Sequence, residues 1–357
     1  MKQSHCHCGQ TVYFENDHCL ACSRTLGFDP ERLSVITLEP DEDGLWHDAA
    51  APERRFRNCA NGRDYGVCNW LVPAADPQSL CVSCRLNAVV PDLSLADNRQ
   101  LWARVEAAKR RLLYTLYRLG LPVVGRDRDP ENGLRFHFLA NATGADEFGN
   151  RFDDGQRVVT GHRTGAITIN IAEADPEQRE AERKRQGEVY RTLLGHFRHE
   201  SGHYFWEQWF PDAARRDAFR TCFGDERGDY AGALERHYRE GPPAAWYHDH
   251  VSAYAAAHPW EDWAESWAHY LHMADTLETA RDHGLALDGE GLAPAPTEDG
   301  TVGMARWQAD WRRLTETLNA LNRSMGQDDP YPFILTERVV EKLSFIHRCV
   351  LEASGRG

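Results

Sequence analysis

The sequence predicts an α+β protein. A cysteine-rich N-terminal lobe covers residues 1–90, and a mainly α-helical domain with a small β-sheet covers residues 91–357. Three observations predict this. Eight of the ten cysteines lie before residue 85. Several long segments beyond residue 95 repeat apolar residues at spacings of three and four, the helical period. Two short segments alternate with period two, as half-buried strands do.

The cysteines fall into two sets of four. Cys6 and Cys8 ("CHCG") precede Cys19 and Cys22 ("CLAC"). Cys59 and Cys68 ("NCANGRDYGVCNW") precede Cys81 and Cys84 ("CVSC"). Each set ends in Cys-x-x-Cys, and four thiolates so spaced make a closed tetrahedral zinc site. "QTVYFEND" between the first pairs alternates like a hairpin strand, as a zinc ribbon requires. A disulfide scaffold is the competing expectation. "MKQSHCHCGQ" has no apolar signal core, so the expected compartment is the reducing cytoplasm. His5, His7, His18 and His47 could each replace a thiolate, but the sulfur count already suffices. Cys222 and Cys349 stand apart and are expected to be small core residues. Residues 27–55, acidic and proline-bearing ("EPDEDGLWHDAAAPE"), are expected to connect the two zinc lobes.

A helix is expected over Asp97–Leu119, with Leu101, Val105, Leu112, Leu116 and Leu119 on one face and Gly120 and Pro122 as stops. Strands are expected at Leu134–Ala140 and Gly165–Asp175. Asp175-Pro176 then opens a helix expected to run to Phe210. Further helices are expected near Asp212–Phe223, Asp229–Arg239, Glu261–Arg281, Met304–Arg323 and Glu337–Glu352. A loop is expected at Leu287–Gly303. The net charge of −14 argues against a general nucleic-acid binder and an anionic membrane surface. No apolar run approaches the roughly 20 residues of a membrane helix.

The chemistry centres on "HESGH", His199–His203. Residues four apart share a helix face, so both imidazoles could hold one metal ion. Glu200 would lie beside the metal's open position, where it can take a proton from water. Chance can produce this pattern, so its setting matters. Tyr190, Leu194, Phe197, Tyr204, Trp206 and Trp209 surround it. A polar triplet in such a helix costs desolvation unless it ligates or pairs. Gly202 costs roughly 1 kcal/mol against alanine in a helix interior, so either a close neighbour or the metal site is expected to require it. Candidates for a third ligand lie in "VSAYAAAHPWEDWAESWAHYLHM": His258, Glu261, Asp262, Glu265, His269 and His272. Trp263 and Trp267, an i,i+4 pair, should pack in the core on another face.

"EDWAESWAHY" resembles the third-ligand helix of gluzincin metallopeptidases, where the ligand glutamate stands in Glu-x-aromatic-Ala. Both Glu261 and Glu265 fit. In the lethal-factor-like branch, a tyrosine seven residues before the ligand stabilises the transition state, and a second acid follows by four. Counting from Glu261 gives Tyr254 and Glu265, whereas counting back from Glu265 gives His258. The resemblance therefore implies Glu261 as ligand, with Glu265 behind the ligands or as the alternative ligand, and Tyr254 as oxyanion donor. Nearly the full length is similar to a bacterial family of zinc-binding metallopeptidases with an N-terminal zinc ribbon. "RTLLGHFRHESGHYFW", "FGDERGDY" and "HPWEDWAESWAHYLHMADTLETA" carry that resemblance, with the cysteine pairs. It implies a gluzincin-like fold for the helical domain and no particular substrate.

The expected function is zinc-dependent hydrolysis of a peptide or amide bond, with one catalytic and two structural zinc ions. A peptide or protein substrate could add to the strand "AITINI" as the upper edge of the cleft. The cysteine lobe is expected to brace the fold or dock a protein. The rival class is a non-enzymatic zinc protein whose HESGH site is structural and closed by a fourth ligand. An amidase acting on a non-protein substrate would use the same metal chemistry.

Overall fold

A computed structural model describes residues 1–141, 158, 160–287, 289–294 and 303–355. The fold is α+β. The chain divides into two compact units, Met1–Tyr114 with Val123–Lys184, and Thr115–Pro122 with Arg185–Gly357.

In the first unit, β1 (Ser4–His5) and β2 (Thr11–Val12) form a short antiparallel hairpin. The next strands are β3 (Leu26–Asp29), β4 (Ser34–Pro40), β5 (Trp46–Asp48) and β6 (Ala51–Asn58). Helix α1 (Ala60–Tyr65) precedes β7 (Leu71–Pro73), and the sheet order is β3-β4-β5-β6-β7. Residues 27–55 are therefore sheet and not a connector. Ile36, Leu38, Phe56 and Leu71 form its apolar cluster, with Trp46 packed against them. The acidic composition misleads because the acids sit at strand ends facing arginines of β6. Arg55 reaches Asp41 at 2.6 Å and Asp43 at 2.9 Å, and Arg54 reaches Glu31 at 2.6 Å.

After β8 (Asn87–Val89), the chain forms α2 (Ala96–Arg118), then β9 (Arg135–Leu139), β10 (Gly161–Arg163), β11 (Ala166–Asn170) and α3 (Pro176–Gln186). The second sheet has the order β10-β11-β9-β8. β11 carries most of "AITINI", yet it pairs antiparallel with β10 and parallel with β9. Both its edges are used, so it cannot accept a peptide by strand addition. The helix expected over 175–210 is two helices. Gly187, with φ of 68°, ends α3, and Thr192 starts the next helix by accepting a hydrogen bond from the Gly195 amide at 3.0 Å.

The second unit contains α4 (Leu193–Trp209), α5 (Ala213–Phe223), α6 (Tyr230–Glu240) and α7 (Pro259–Asp282). The short hairpin β12 (Ala286–Leu287) and β13 (Glu290–Gly291) follows, then α8 (Met304–Ser324) and α9 (Glu337–Ala353). The hairpin occupies part of the expected loop at 287–303; residues 288 and 295–302 lie outside the described ones. Asp212 and Asp229 cap α5 and α6 through their carboxylates. Helices α4 and α7 cross closely at Gly202, where a Cβ would stand 2.9 Å from the Cα of Ala264. Trp263 donates to the Gly202 carbonyl at 2.8 Å, and Trp267 to the Ser201 hydroxyl at 3.0 Å. Both indoles are fully buried and stacked, with centroids 6.2 Å apart. This crossing sets the HESGH face of α4 against the first two turns of α7. Among the described residues, no helix is long and apolar enough to cross a membrane.

Candidate active site

His199 and His203 project from one face of α4, with their Nε2 atoms 3.2 Å apart. Glu261, in the first turn of α7, brings Oε2 to 3.0 Å from Nε2 of His199 and 3.5 Å from Nε2 of His203. Donor atoms around a tetrahedral zinc at 2.0–2.1 Å lie about 3.3 Å apart. All three atoms bear lone pairs, and Glu261 Oε2 is buried without a hydrogen-bond partner. With both Nε2 atoms unprotonated such convergence is repulsive, so a proton or a metal cation must sit among them. Burial pushes the Glu261 carboxyl up, but positive charge on His203 and His199 and hydrogen bonds from them outweigh this and hold it well below the usual carboxylate range. The residues present therefore fit a metal ion.

Behind the imidazole of His199, Nδ1 lies 2.7 Å from Glu265 Oε1. The other Glu265 oxygen accepts from the Ser252 hydroxyl at 2.6 Å. A carboxylate on Nδ1 fixes the tautomer and leaves the Nε2 lone pair for the metal. Nδ1 and Nε2 face opposite sides of the ring, so Glu265 does not stand where Glu261 does. Ser252 was not among the residues expected from sequence. Neither was Tyr230, whose hydroxyl donates to Glu261 Oε1 at 2.6 Å.

Glu200 is buried beside the two histidines, and burial raises its carboxyl pKa. Tyr254 opens a single-turn helix, Tyr254–Ala257, with its ring 5.9 Å from that of His199. Burial raises its phenol well above the usual value, so it stays a hydrogen-bond donor. The remaining candidates are placed elsewhere. His258 caps α7, its Nδ1 accepting from the Trp260 amide at 3.1 Å. Asp262 pairs with Lys342 at 2.6 Å. His269 Nδ1 lies 3.0 Å from the Tyr331 hydroxyl, and burial pushes its pKa down to about 4. His272 packs among Tyr190, Trp311 and Tyr331.

In the first unit, Cys6, Cys8, Cys19 and Cys22 cluster, as do Cys59, Cys68, Cys81 and Cys84. All are free cysteines, so the disulfide alternative does not hold. Sulfur separations are 3.6 Å for Cys6–Cys22, and 3.7 Å for Cys8–Cys19 and Cys68–Cys81. Four sulfurs at about 2.3 Å from one zinc lie about 3.8 Å apart. His18 and His47 pair instead with Asp17 at 2.6 Å and Asp41 at 2.7 Å. Cys222 and Cys349 are half-buried and belong to neither cluster.

Two buried cations of α2 hold the loops that carry the second cysteine set. Lys109 Nζ donates to the Ser83 carbonyl at 3.1 Å, next to Cys84. Arg110 Nη1 donates to the Val67 carbonyl at 2.6 Å, next to Cys68. Glu106 lies 2.9 Å from Lys109, and both side chains are fully buried. Removing one partner of a buried pair typically costs about 3–5 kcal/mol. Lys109→Met is therefore expected to lower the thermal midpoint by many degrees and to release zinc at lower chelator concentration. A Lys109→Met protein that melts and holds zinc like the parent would contradict this.

Comparison with known proteins agrees with both parts of this description. A family described as "Putative zinc-binding metallo-peptidase" matches residues 98–349, and one described as "zinc-ribbon domain" matches residues 3–95. Uncharacterized proteins of Mycobacterium bovis and Mycobacterium tuberculosis are 41% identical over 359 aligned residues, covering 99% of this chain and 96% of each relative. No solved structure matches the chain.

Proposed function

Because the chain belongs to this family of zinc-binding metallo-peptidases, we propose that it hydrolyses a peptide or amide bond at the α4–α7 site, in the manner of a gluzincin. The convergence of His199 Nε2, His203 Nε2 and Glu261 Oε2 carries this reading. These three atoms would hold zinc. Among the described residues no fourth metal-binding side chain joins them, which favours an enzyme over a closed structural site. A bound zinc ion supplies Lewis acidity and a nucleophile at neutral pH.

The chain's own residues do the rest. Glu200 accepts the proton of the attacking water and returns it to the leaving amine. Tyr254 donates to the oxyanion that develops on the substrate carbonyl. Glu265, held by Ser252, keeps His199 in the tautomer that leaves Nε2 bare. The two cysteine sets would each hold one further zinc ion, making three per chain. We assign residues 1–90 to a zinc-ribbon part that braces the fold or docks a protein partner, and residues 91–357 to the hydrolase part. Neither nucleic acid nor a membrane is expected as partner, given the net charge of −14. Two thiolate sites suit the cytoplasm, where thiols stay reduced.

The test is digestion of a diverse peptide mixture read by mass spectrometry. Zinc-loaded protein should generate new termini, a chelator should stop this, and added zinc should restore it. Cleavage indifferent to chelation would contradict the proposal, as would an intact, loaded protein that cleaves nothing.

A further inference from the structure

We infer that Tyr230 is a positioning residue for Glu261, holding one carboxylate oxygen so that only the other is offered to the metal. This rests on the proposed ligand set and adds a residue that the HESGH motif and the third-ligand helix do not contain.

The geometry is direct. The Tyr230 hydroxyl lies 2.6 Å from Glu261 Oε1, while Oε2 faces His199 and His203. A phenol has one hydrogen, and an ionised carboxylate only accepts. That hydrogen therefore goes to Oε1. With Oε1 committed, the carboxylate cannot swing both oxygens toward the imidazoles. Of the two Glu261 oxygens, Oε2 is the buried one without a hydrogen-bond partner.

The tyrosine is itself held from three sides. It is the first residue of α6, whose start is fixed by the Asp229 carboxylate accepting from the Gly232 amide at 3.1 Å. The loop before it is pinned by Arg220, which grips Glu226 through two bonds of 2.9 and 2.6 Å. Its ring meets His258 edge-on at 5.1 Å and Trp260 at 5.5 Å. Both lie just before Glu261, His258 as the cap of α7 and Trp260 in its first turn, and Trp260 in turn packs on His203 at 4.3 Å. The phenol thus orients the metal-facing carboxylate from a separate helix, as Glu265 orients His199. Groups that orient metal ligands typically change metal affinity or activity about 10- to 100-fold when lost.

Tyr230→Phe keeps the ring and removes only the hydroxyl. Zinc affinity of the α4–α7 site is read by competition with a chromophoric chelator, with the thiolate sites left loaded. We expect the dissociation constant to rise about 10- to 100-fold, with the circular-dichroism spectrum and the zinc content of the thiolate sites unchanged. Cobalt placed in the same site gives a second readout that general loosening would not move. Both Glu261 oxygens are then free to bind, so coordination rises and the visible absorption weakens. Glu261→Ala runs alongside and should lose the metal outright. Parent affinity and a parent cobalt spectrum in Tyr230→Phe, with the metal lost from Glu261→Ala, would overturn the role of Tyr230 and leave the ligand set standing. Parent affinity in Glu261→Ala would overturn the ligand set itself, and the role of Tyr230 with it.

Discussion

Glu200→Gln is expected to lower kcat about 10²- to 10⁴-fold, the usual contribution of a general acid–base group, while zinc content stays at the parent level. Glutamine has nearly the same size and leaves both imidazoles in place, but it cannot accept a proton from water. Burial already raises the Glu200 carboxyl pKa, which brings its basicity closer to that needed for proton transfer. Turnover is measured on a peptide found by the digestion experiment, and zinc by elemental analysis of the same sample. Parent turnover with full zinc would remove Glu200 from the mechanism. Loss of zinc would make it a ligand or a structural partner.

Glu261→Ala is expected to abolish tight zinc binding at the α4–α7 site, whereas Glu265→Ala should weaken binding about 10- to 100-fold. The difference follows from where each carboxylate stands. Glu261 Oε2 joins the two Nε2 atoms, while Glu265 lies on the Nδ1 side of His199. Removing the first deletes a donor; removing the second leaves three donors with one ring less firmly held. Tyr254→Phe should keep zinc and lose about 10²- to 10³-fold in rate, the worth of one oxyanion donor. Chelator competition on the three variants checks this. Zinc lost from Glu265→Ala but kept by Glu261→Ala would move the ligand by one helical turn and hand the role of Tyr254 to His258.

The helices were the most legible part of the sequence because their signals are local. Asp212 and Asp229 stand at the caps of α5 and α6, and Gly120 and Pro122 follow α2. Two misreadings share a cause. Residues 27–55 read as a connector because turn acids dominated the count, whereas the strands between them bury Val35, Ile36 and Leu38. The charged run of α3 hid the break at Gly187, since exposed positions carry no period to interrupt. Gly202 was a sharper signal, because a glycine inside an aromatic helix implies a close neighbour, here Ala264. Within the site, helical period sets Glu261 and Glu265 on the same face, so it cannot say which one turns toward the imidazoles. Tyr230, Ser252 and Lys109 were invisible for a plainer reason. Glu261, Glu265 and Ser83, which they contact, lie 31, 13 and 26 residues away in sequence and meet them only through tertiary packing.

The most direct test is anomalous diffraction at the zinc edge from crystals of the zinc-loaded protein. The expected result is a peak between α4 and α7 whose protein contacts are His199 Nε2, His203 Nε2 and one oxygen of Glu261, with one position left to solvent or substrate. A peak closed by a fourth side chain such as His258 or Glu265, or no peak between those helices, would contradict the account.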